Sequence, residues 1–487
     1  MIRRLGATML LLAGLLSGCS SGSRVAAPAT APDLGHGLAA KMSADRMLAH
    51  LRALQDIANA NKGSRAEGTP GYDASVDYVA KALRDRGFDV ATPQFDRLYA
   101  ESPGKPAVTV GGLGYQVDQA SLLVQTPPGG LTGQPVRPAQ PSGCSAADYP
   151  ALPKGAIAVV DDARCSVVDK QNSAIAKGAA AVIVLSSSGA QGAPSTLFNP
   201  GYFKQLTVPV AVAGGSAASA LVRATAPIRL LLDARNAVVT SRNVLAQTKT
   251  GSPHEVVVVG AHLDAPPGGP GINDNGSGAA AVLETALQLG PLAPVNNAVR
   301  FAFWGAGLGG PMDYVFGMDA GQLNDVALYL NFTMLGSTNA GFFTDDGDQS
   351  GPASPGVSFG DVPDGSAGIE RTLAGFLNLA GKRPADMPLD TRADYHPFLV
   401  AGVPVGGMTS GGSQMKTTVQ ARLWGGQAGA PFDPNYRSAR DTLDNVSRET
   451  LGLMGSGVAF AVGTYAESLG GVNGVPPHDK RHRTRVP

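Results

Sequence analysis

The segment VVVVGAHLDAPPGGPGINDNGSGAAAVLE, residues 256–284, places one histidine and two aspartates in two neighbouring loops. His262 and Asp264 follow directly on a hydrophobic run, and Asp274 stands at the mouth of an alanine-rich stretch. Imidazole and carboxylate are the ligand types of hydrolytic metal centres. A two-metal hydrolase needs a bridging carboxylate, terminal ligands on each ion and a general base for the attacking water. The segment offers one half of such a centre.

The elements that must carry these loops are legible from hydrophobic periodicity. Strands are expected at Val256–Val259, Val299–Phe303 and Leu328–Leu335, alternating with helices at Gly278–Leu289 and Ile369–Ala380. Apolar runs separated by helices predict an α/β domain, with a mixed, mainly parallel central sheet covered by helices on both faces. Reacting residues in such sheets sit on loops at the carboxyl ends of strands, where His262 and Asp264 fall. Upstream, ADRMLAHLRALQDIANA and VDYVAKALRDRGFDV read as amphipathic helices on either side of the turn cluster SRAEGTPGYD. Residues 91–114 read as short strands. From Tyr115 to Thr240 the texture changes to short Val/Ile/Leu runs broken by PPGG, QPSG, SSSG and AGGS. AIAVVDD and AVIVLSS are expected to be buried strands with the helix DKQNSAIAKGA between them, so a small α/β module is inserted into the larger one.

At 487 residues and 43% hydrophobic, the chain has room for two cored domains plus tails. Lys+Arg and Asp+Glu are equal at 38 each, so no net field draws nucleic acid, and no such partner is expected. The start carries Arg3 and Arg4, then an apolar run from Leu5 to Leu16 that is too short to span a bilayer. It reads as an export signal, residues 1–18. Leu16-Ser17-Gly18-Cys19 resembles a bacterial lipobox of the actinobacterial lipoprotein type, in which Cys19 takes the lipid. Residues 19–37 read as a flexible linker and residues 471–487 as a basic, solvated tail. The chain is therefore expected to be exported and anchored to the cell membrane through lipid alone. Outside the cytoplasm the two remaining cysteines, Cys144 and Cys165, most simply form one disulfide, with buried free thiols as the alternative.

The motifs GAHLD, INDNGSGAAAVLE, VRFAFWGA, ADYHPFLVAGVPVGG and PFDPNY with its following DTLDN resemble the di-zinc aminopeptidases, the family that includes glutamate carboxypeptidase-like enzymes. The resemblance runs from about Leu38 to Gly470. Residues 143–184 resemble the protease-associated domain, which implies a lid or accessory role and in which two such cysteines are commonly bridged. Together they divide the chain into an aminopeptidase-like domain, residues 38–114 and 241–470, and an inserted protease-associated domain, residues 115–240.

Carried over, the resemblance makes His262 a terminal zinc ligand, Asp264 the residue that orients it, and Asp274 the bridge between ions. There the correspondence stops. Family members carry a Glu pair, base then ligand, after WGA; here Ala306 is followed directly by Gly307 and both Glu are absent. A ligand Asp belongs in YLNFDM, and Thr333 stands there. The last ligand is a His after PNY, and Arg437 stands there, with a guanidinium that cannot deprotonate to bind a cation. Arg392, Asp394, His396 and Tyr436 are implied to line the cleft rather than to catalyse. Losing the base alone costs roughly 10²–10⁴ in rate.

These features point to a non-catalytic envelope lipoprotein that binds a peptide or cell-wall ligand. No cofactor is expected, zinc entering only if the family site is retained in modified form. The alternatives are an active metal-dependent aminopeptidase or hydrolase with a modified or one-metal site, and a purely structural lipoprotein. Arg437 is expected to pair with Asp274, a fixed positive charge in place of a metal ion.

Overall fold

Four consecutive valines, Val256–Val259, have no polar face to offer, so both sides of their strand must be covered. They lie in the strand Ser252–His262, which is buried from Val256 to Ala261. In the computed structural model, which describes residues 33–485 apart from 195, 200, 355 and 359, this strand sits inside an eight-stranded sheet. Cys19, the export signal and the first part of the linker lie outside the described residues. The sheet order is Val90–Ala91, Val244–Gln247, Asn297–Trp304, Ser252–His262, Val326–Phe332, Val405–Thr409, Phe343–Asp345, Ala385–Met387. From Asn297–Trp304 through Val405–Thr409 the neighbours are parallel, and Val244–Gln247 and Phe343–Asp345 flank them antiparallel. The sheet is mixed and parallel at its centre, as the hydrophobic runs imply.

Helices cover both faces. On one, Leu51, Val76, Val79, Leu283, Val458 and Val462 pack with Val257, Val259, Phe301 and Phe303 of the sheet. On the other, Val315, Leu323 and Phe398 pack with Val256, Val258, Trp304 and Tyr329. There Tyr329 and Phe398 stack at 4.0 Å between ring centroids, and Trp304 Nε1 donates to Tyr329 Oη at 2.8 Å. Burying an indole N–H requires such a partner.

Two element boundaries differ from the sequence reading for a local reason. The strand expected over Leu328–Leu335 is Val326–Phe332. Beyond it, Met334 takes a positive φ of 55° and its N–H donates to Asn275 Oδ1 at 2.9 Å. A side-chain acceptor on the Asp274 loop thus takes the backbone out of the sheet just after Thr333. The helix expected over Ile369–Ala380 is Ser366–Leu379.

The inserted module hangs on a two-stranded ribbon, Gln94–Ser102 against Arg235–Arg242. It has a five-stranded sheet in the order Asp118–Gln119, Val210–Ala213, Ala181–Leu185, Ile157–Asp161, Pro135–Val136, and a separate four-stranded one. Between two of its strands lies the helix Val167–Ile175, opened by a reciprocal Ser166–Asp169 cap. Cys144 and Cys165 are joined by a disulfide across 21 positions. Closing a loop of that length is worth about 3 kcal/mol on the chain-entropy argument.

Both ends of the described residues are more ordered than their composition implies. The linker expected through residue 37 gives way at Leu34 to the helix Leu34–Ala39, capped by Asp33. Gly35 and Gly463 face each other so closely that a Cβ on Gly463 would stand 2.7 Å from the Gly35 backbone, which lets this helix seat against Arg448–Glu467. The tail expected to be solvated is docked. Arg481 is buried, its guanidinium paired with Glu255 and donating to the Asn324 carbonyl at 2.8 Å. Arg483 donates to the Val326 carbonyl at 2.7 Å, and the Thr484 N–H to Ala401 at 3.0 Å. The partners are mostly backbone carbonyls on the segments that lead into strands, which no charge count reveals.

Candidate functional site

His262 ends its strand at the carboxyl edge of the sheet, and the loop behind it is held by Arg65. This arginine is fully buried and donates to the carbonyls of Leu263 at 2.7 Å, Pro270 at 2.8 Å and Gly271 at 2.7 Å. One guanidinium therefore ties the loop after His262 to the loop before Asp274. Burial lowers its pKa to about 10 against the raising influence of Asp264, Asp441 and other anions, so it stays charged at neutral pH. The sequence reading passed over it, because a lone Arg in a turn cluster looks solvated.

The Asp274 loop is fixed from the other side. Asp441 accepts the backbone N–H of Asn273 at 2.9 Å and of Asp274 at 3.0 Å. Asn273 donates to Asp433 Oδ2 at 2.8 Å and Asn445 to Asp433 Oδ1 at 2.8 Å. The motif DTLDN contains both Asp441 and Asn445, so the signal was present in the sequence, but its positioning role was not read. Burial raises the Asp441 pKa to about 6.

These supports bring His262 and Asp274 together, with His262 Nε2 3.4 Å from Asp274 Oδ1. His262 Nδ1 is 3.1 Å from the main-chain carbonyl of Asp264. The carboxylate of Asp264, expected to orient the imidazole, is 3.8 Å from Nδ1 and instead accepts the Gly307 N–H at 2.9 Å. Asp264 thus orients His262 through its backbone. Burial pushes the imidazole toward neutrality, but the hydrogen bond to Asp274 and the charges of Asp394, Asp264 and Asp274 outweigh it and hold its pKa at about 10.

Where a Glu pair would stand, the chain makes a tight turn: Ala306 has φ 60° and Gly307 φ 51°. The nearest following acid, Asp313, lines a separate cavity with Arg300 and Tyr314. Thr333 lines the cleft with Asn331 Nδ2 3.5 Å from its hydroxyl. Arg437 Nε lies 3.5 Å from Asp274 Oδ2, and its guanidinium is 5.0 Å from the Tyr436 ring centroid. The expected Arg437–Asp274 pair is therefore an ion contact without a hydrogen bond: Asp274 Oδ2 is buried and accepts none. The Arg437 side chain is 65% exposed, so the contact has the strength of a surface pair, at most about 1 kcal/mol.

The cleft consists of two adjoining cavities of about 1090 and 640 Å³ that share His262, Arg392, Asp394 and Arg437. The ribbon that carries the inserted module forms part of the wall of the larger one, through Arg97, Tyr99 and Val238–Thr240. Tyr436 lines the smaller. His396, expected on the cleft, lines neither; it opens the helix His396–Val400. Two cleft acids went unnoticed in the sequence. Glu67, in the Arg65 turn, has its pKa raised by burial, and Asp345 is pushed up to about 7 by burial and then by Glu370. Glu67 Oε1, Asp274 Oδ2, Asp345 Oδ2 and Asp394 Oδ2 are all buried without a hydrogen-bond partner.

The residues present do not fit a two-zinc centre. Among the described residues, no cluster of three His, Cys, Asp or Glu side chains includes His262 or Asp274. A threonine hydroxyl and a guanidinium complete the ring.

A mixed sheet with His262 and Asp274 at its carboxyl edge, and a small module inserted ahead of it, defines the aminopeptidase-like class of fold. A family model for peptidase family M28 matches residues 243–462, and one for the PA domain matches residues 131–221. The chain is 48% identical to the probable lipoprotein aminopeptidase LpqL of Mycobacterium tuberculosis, covering 98% of this chain and 96% of that one. It is 36% identical to an aminopeptidase of Pseudomonas aeruginosa, over 87% and 81% of the two chains. Among solved structures, a zinc aminopeptidase from Bacillus subtilis matches with a TM-score of 0.49 and 23% identity, over 87% and 95% of the chains. The chain belongs to peptidase family M28 and carries an inserted PA domain.

Proposed function

We propose that the chain is an exported, membrane-tethered lipoprotein whose M28 cleft binds the amino end of a peptide or a comparable envelope ligand without hydrolysing it. Arg437 carries the reading: a fixed cation stands 3.5 Å from the one carboxylate that would bridge two metal ions. The absence of an acid on the turn through Ala306 and Gly307 removes the base as well. The ligand class follows from the cleft acids Glu67, Asp345 and Asp394, each with a carboxylate oxygen that accepts no hydrogen bond. Buried acceptors without donors are costly, and an ammonium group supplies three.

Purified protein should release no product from amino-acid anilides, with or without added zinc. A short peptide with a free amino end should raise its melting temperature, and the N-acetylated peptide should not. Turnover that persists through purification and disappears in Asp274→Ala would overturn the non-catalytic reading.

That outcome would support the second reading, an aminopeptidase with a modified or one-metal site. The unpartnered Asp274 Oδ2 and the name of the M. tuberculosis relative favour it. Glu67, Asp345 and Asp394 are then the cleft acids whose raised pKa a general base needs.

Tethering rests on the Leu16–Cys19 sequence and on the lipoprotein named among the relatives. No helix among the described residues is long and apolar enough to cross a membrane. Cys19→Ala should move the protein from the membrane fraction to the soluble one, or leave its signal uncleaved. Unchanged fractionation of a protein whose signal is still cleaved would rule the anchor out.

A further inference from the structure

At the amino ends of the strands, away from the cleft, three segments meet. His254 opens the Ser252–His262 strand, Asp325 ends the helix Ala320–Asp325, and His478 lies on the docked tail. His254 Nδ1 is 3.0 Å and His478 Nε2 3.1 Å from the same oxygen, Asp325 Oδ1. The three candidate donor atoms all lie within 4.8 Å of one another. None of the three residues lines the His262 cleft.

We propose that His254, Asp325 and His478 form a site for a divalent transition ion of the zinc type, which fastens the C-terminal tail to the back of the sheet. Two imidazoles and one carboxylate, with water in the fourth position, are a standard three-ligand set for zinc. Donors about 2.0–2.1 Å from a tetrahedral ion stand roughly 3.3 Å apart, within a few tenths of an ångström of the two separations seen. Imidazole nitrogen selects against calcium and magnesium, which take oxygen.

Asn324 Nδ2 lies 3.0 Å from His478 Nε2 and 3.2 Å from the His478 carbonyl, and the amide can bond that carbonyl whether Nε2 donates to Asp325 or turns its lone pair to an ion. The convergence of two imidazole nitrogens on one carboxylate oxygen carries the proposal, and the titration below separates an ion from a hydrogen-bonded cluster.

The surroundings are permissive. The side chains of His254, His478 and Asp325 are 71%, 42% and 28% exposed, so an ion has a path in. The nearby Arg481 charge is already paired with Glu255. Because two ligands belong to the body and one to the tail, binding the ion and docking the tail are one linked equilibrium.

The test uses chelator-stripped full-length protein titrated with zinc alone by calorimetry, with hydrogen exchange followed over residues 474–485. The expected result is one zinc equivalent that is lost in both His254→Gln and His478→Gln and kept in His262→Gln. At zinc 100 times its Kd, tail exchange should slow about a hundredfold. His254→Gln serves as the variant that leaves the tail's own residues intact. No zinc binding, or binding unaffected by His254→Gln and His478→Gln, overturns the proposal. Binding lost only in His262→Gln overturns it too, and in that case also undermines the non-catalytic reading of the cleft. Two equivalents, one lost with each class of variant, support this site and count against that reading alone.

Discussion

Arg65→Ala should lower the unfolding free energy by about 4 kcal/mol, among the largest effects of any single change in this chain. The side chain is fully buried, and its removal strands the carbonyls of Leu263, Pro270 and Gly271 without donors. Hydrogen bonds from a charged donor are each worth about 1.5–3 kcal/mol, and the contributions are not additive. Lysine has a compact ammonium in place of a planar fork, so Arg65→Lys should recover less than half of the loss. Urea unfolding of the three proteins checks this. A midpoint for Arg65→Ala within error of the parent would show that the two loops are held by something else. The same variant should loosen His262 relative to Asp274 and weaken peptide binding, since both residues hang on the loops that Arg65 joins.

The second large effect has the opposite sign. Asp345→Asn should stabilise the protein by on the order of 3 kcal/mol at pH 8, with the gain vanishing near pH 4. Asp345 is buried, its Oδ2 has no partner, and burial together with Glu370 raises its pKa to about 7. An unfolded aspartate titrates near 3.9. Between pH 4 and 7 the folded state therefore binds the extra proton, and stability falls as pH rises through that window. Above pH 7 the full cost of the buried charge is present. Chemical unfolding of parent and variant from pH 4 to 8 measures the difference; parallel curves across the range would remove Asp345 as the source. If the cleft takes an ammonium group, the stabilised variant should bind it less well, because the costly carboxylate is then a binding group.

The parts of this molecule that sequence reading reached are those with a repeating signature. The valine run at 256–259 and the alternation of apolar runs with helices specify a buried, mainly parallel sheet, and the loop motifs place His262 and Asp274 at its carboxyl edge. Thr333 and Arg437 were legible because fixed motifs surround them. What stayed hidden depends on partners distant in sequence and mostly on main-chain atoms. Arg65 bonds carbonyls about 200 positions away, and Glu67 and Asp345 acquire their character chiefly from burial and then from charges brought near by the fold. The turn of Asp264 toward Gly307 follows from a shortened segment whose backbone path no residue type announces. The last residues of the linker and the tail depart from expectation for one reason: composition reports what a segment would do in water, and not that a facing glycine pair or a row of open carbonyls awaits it.

The docked tail has a consequence for how the protein is made. Glu255 sits on the central strand, yet its partner, Arg481, is synthesised 226 positions later. Until then the carbonyls of Asn324, Val326 and Ala401 face solvent and Glu255 has no counter-charge. The tail can therefore dock only after all the residues of the cleft have been made. A chain stopped at position 480 would keep every residue of the cleft and still leave Glu255 and those carbonyls without their partners.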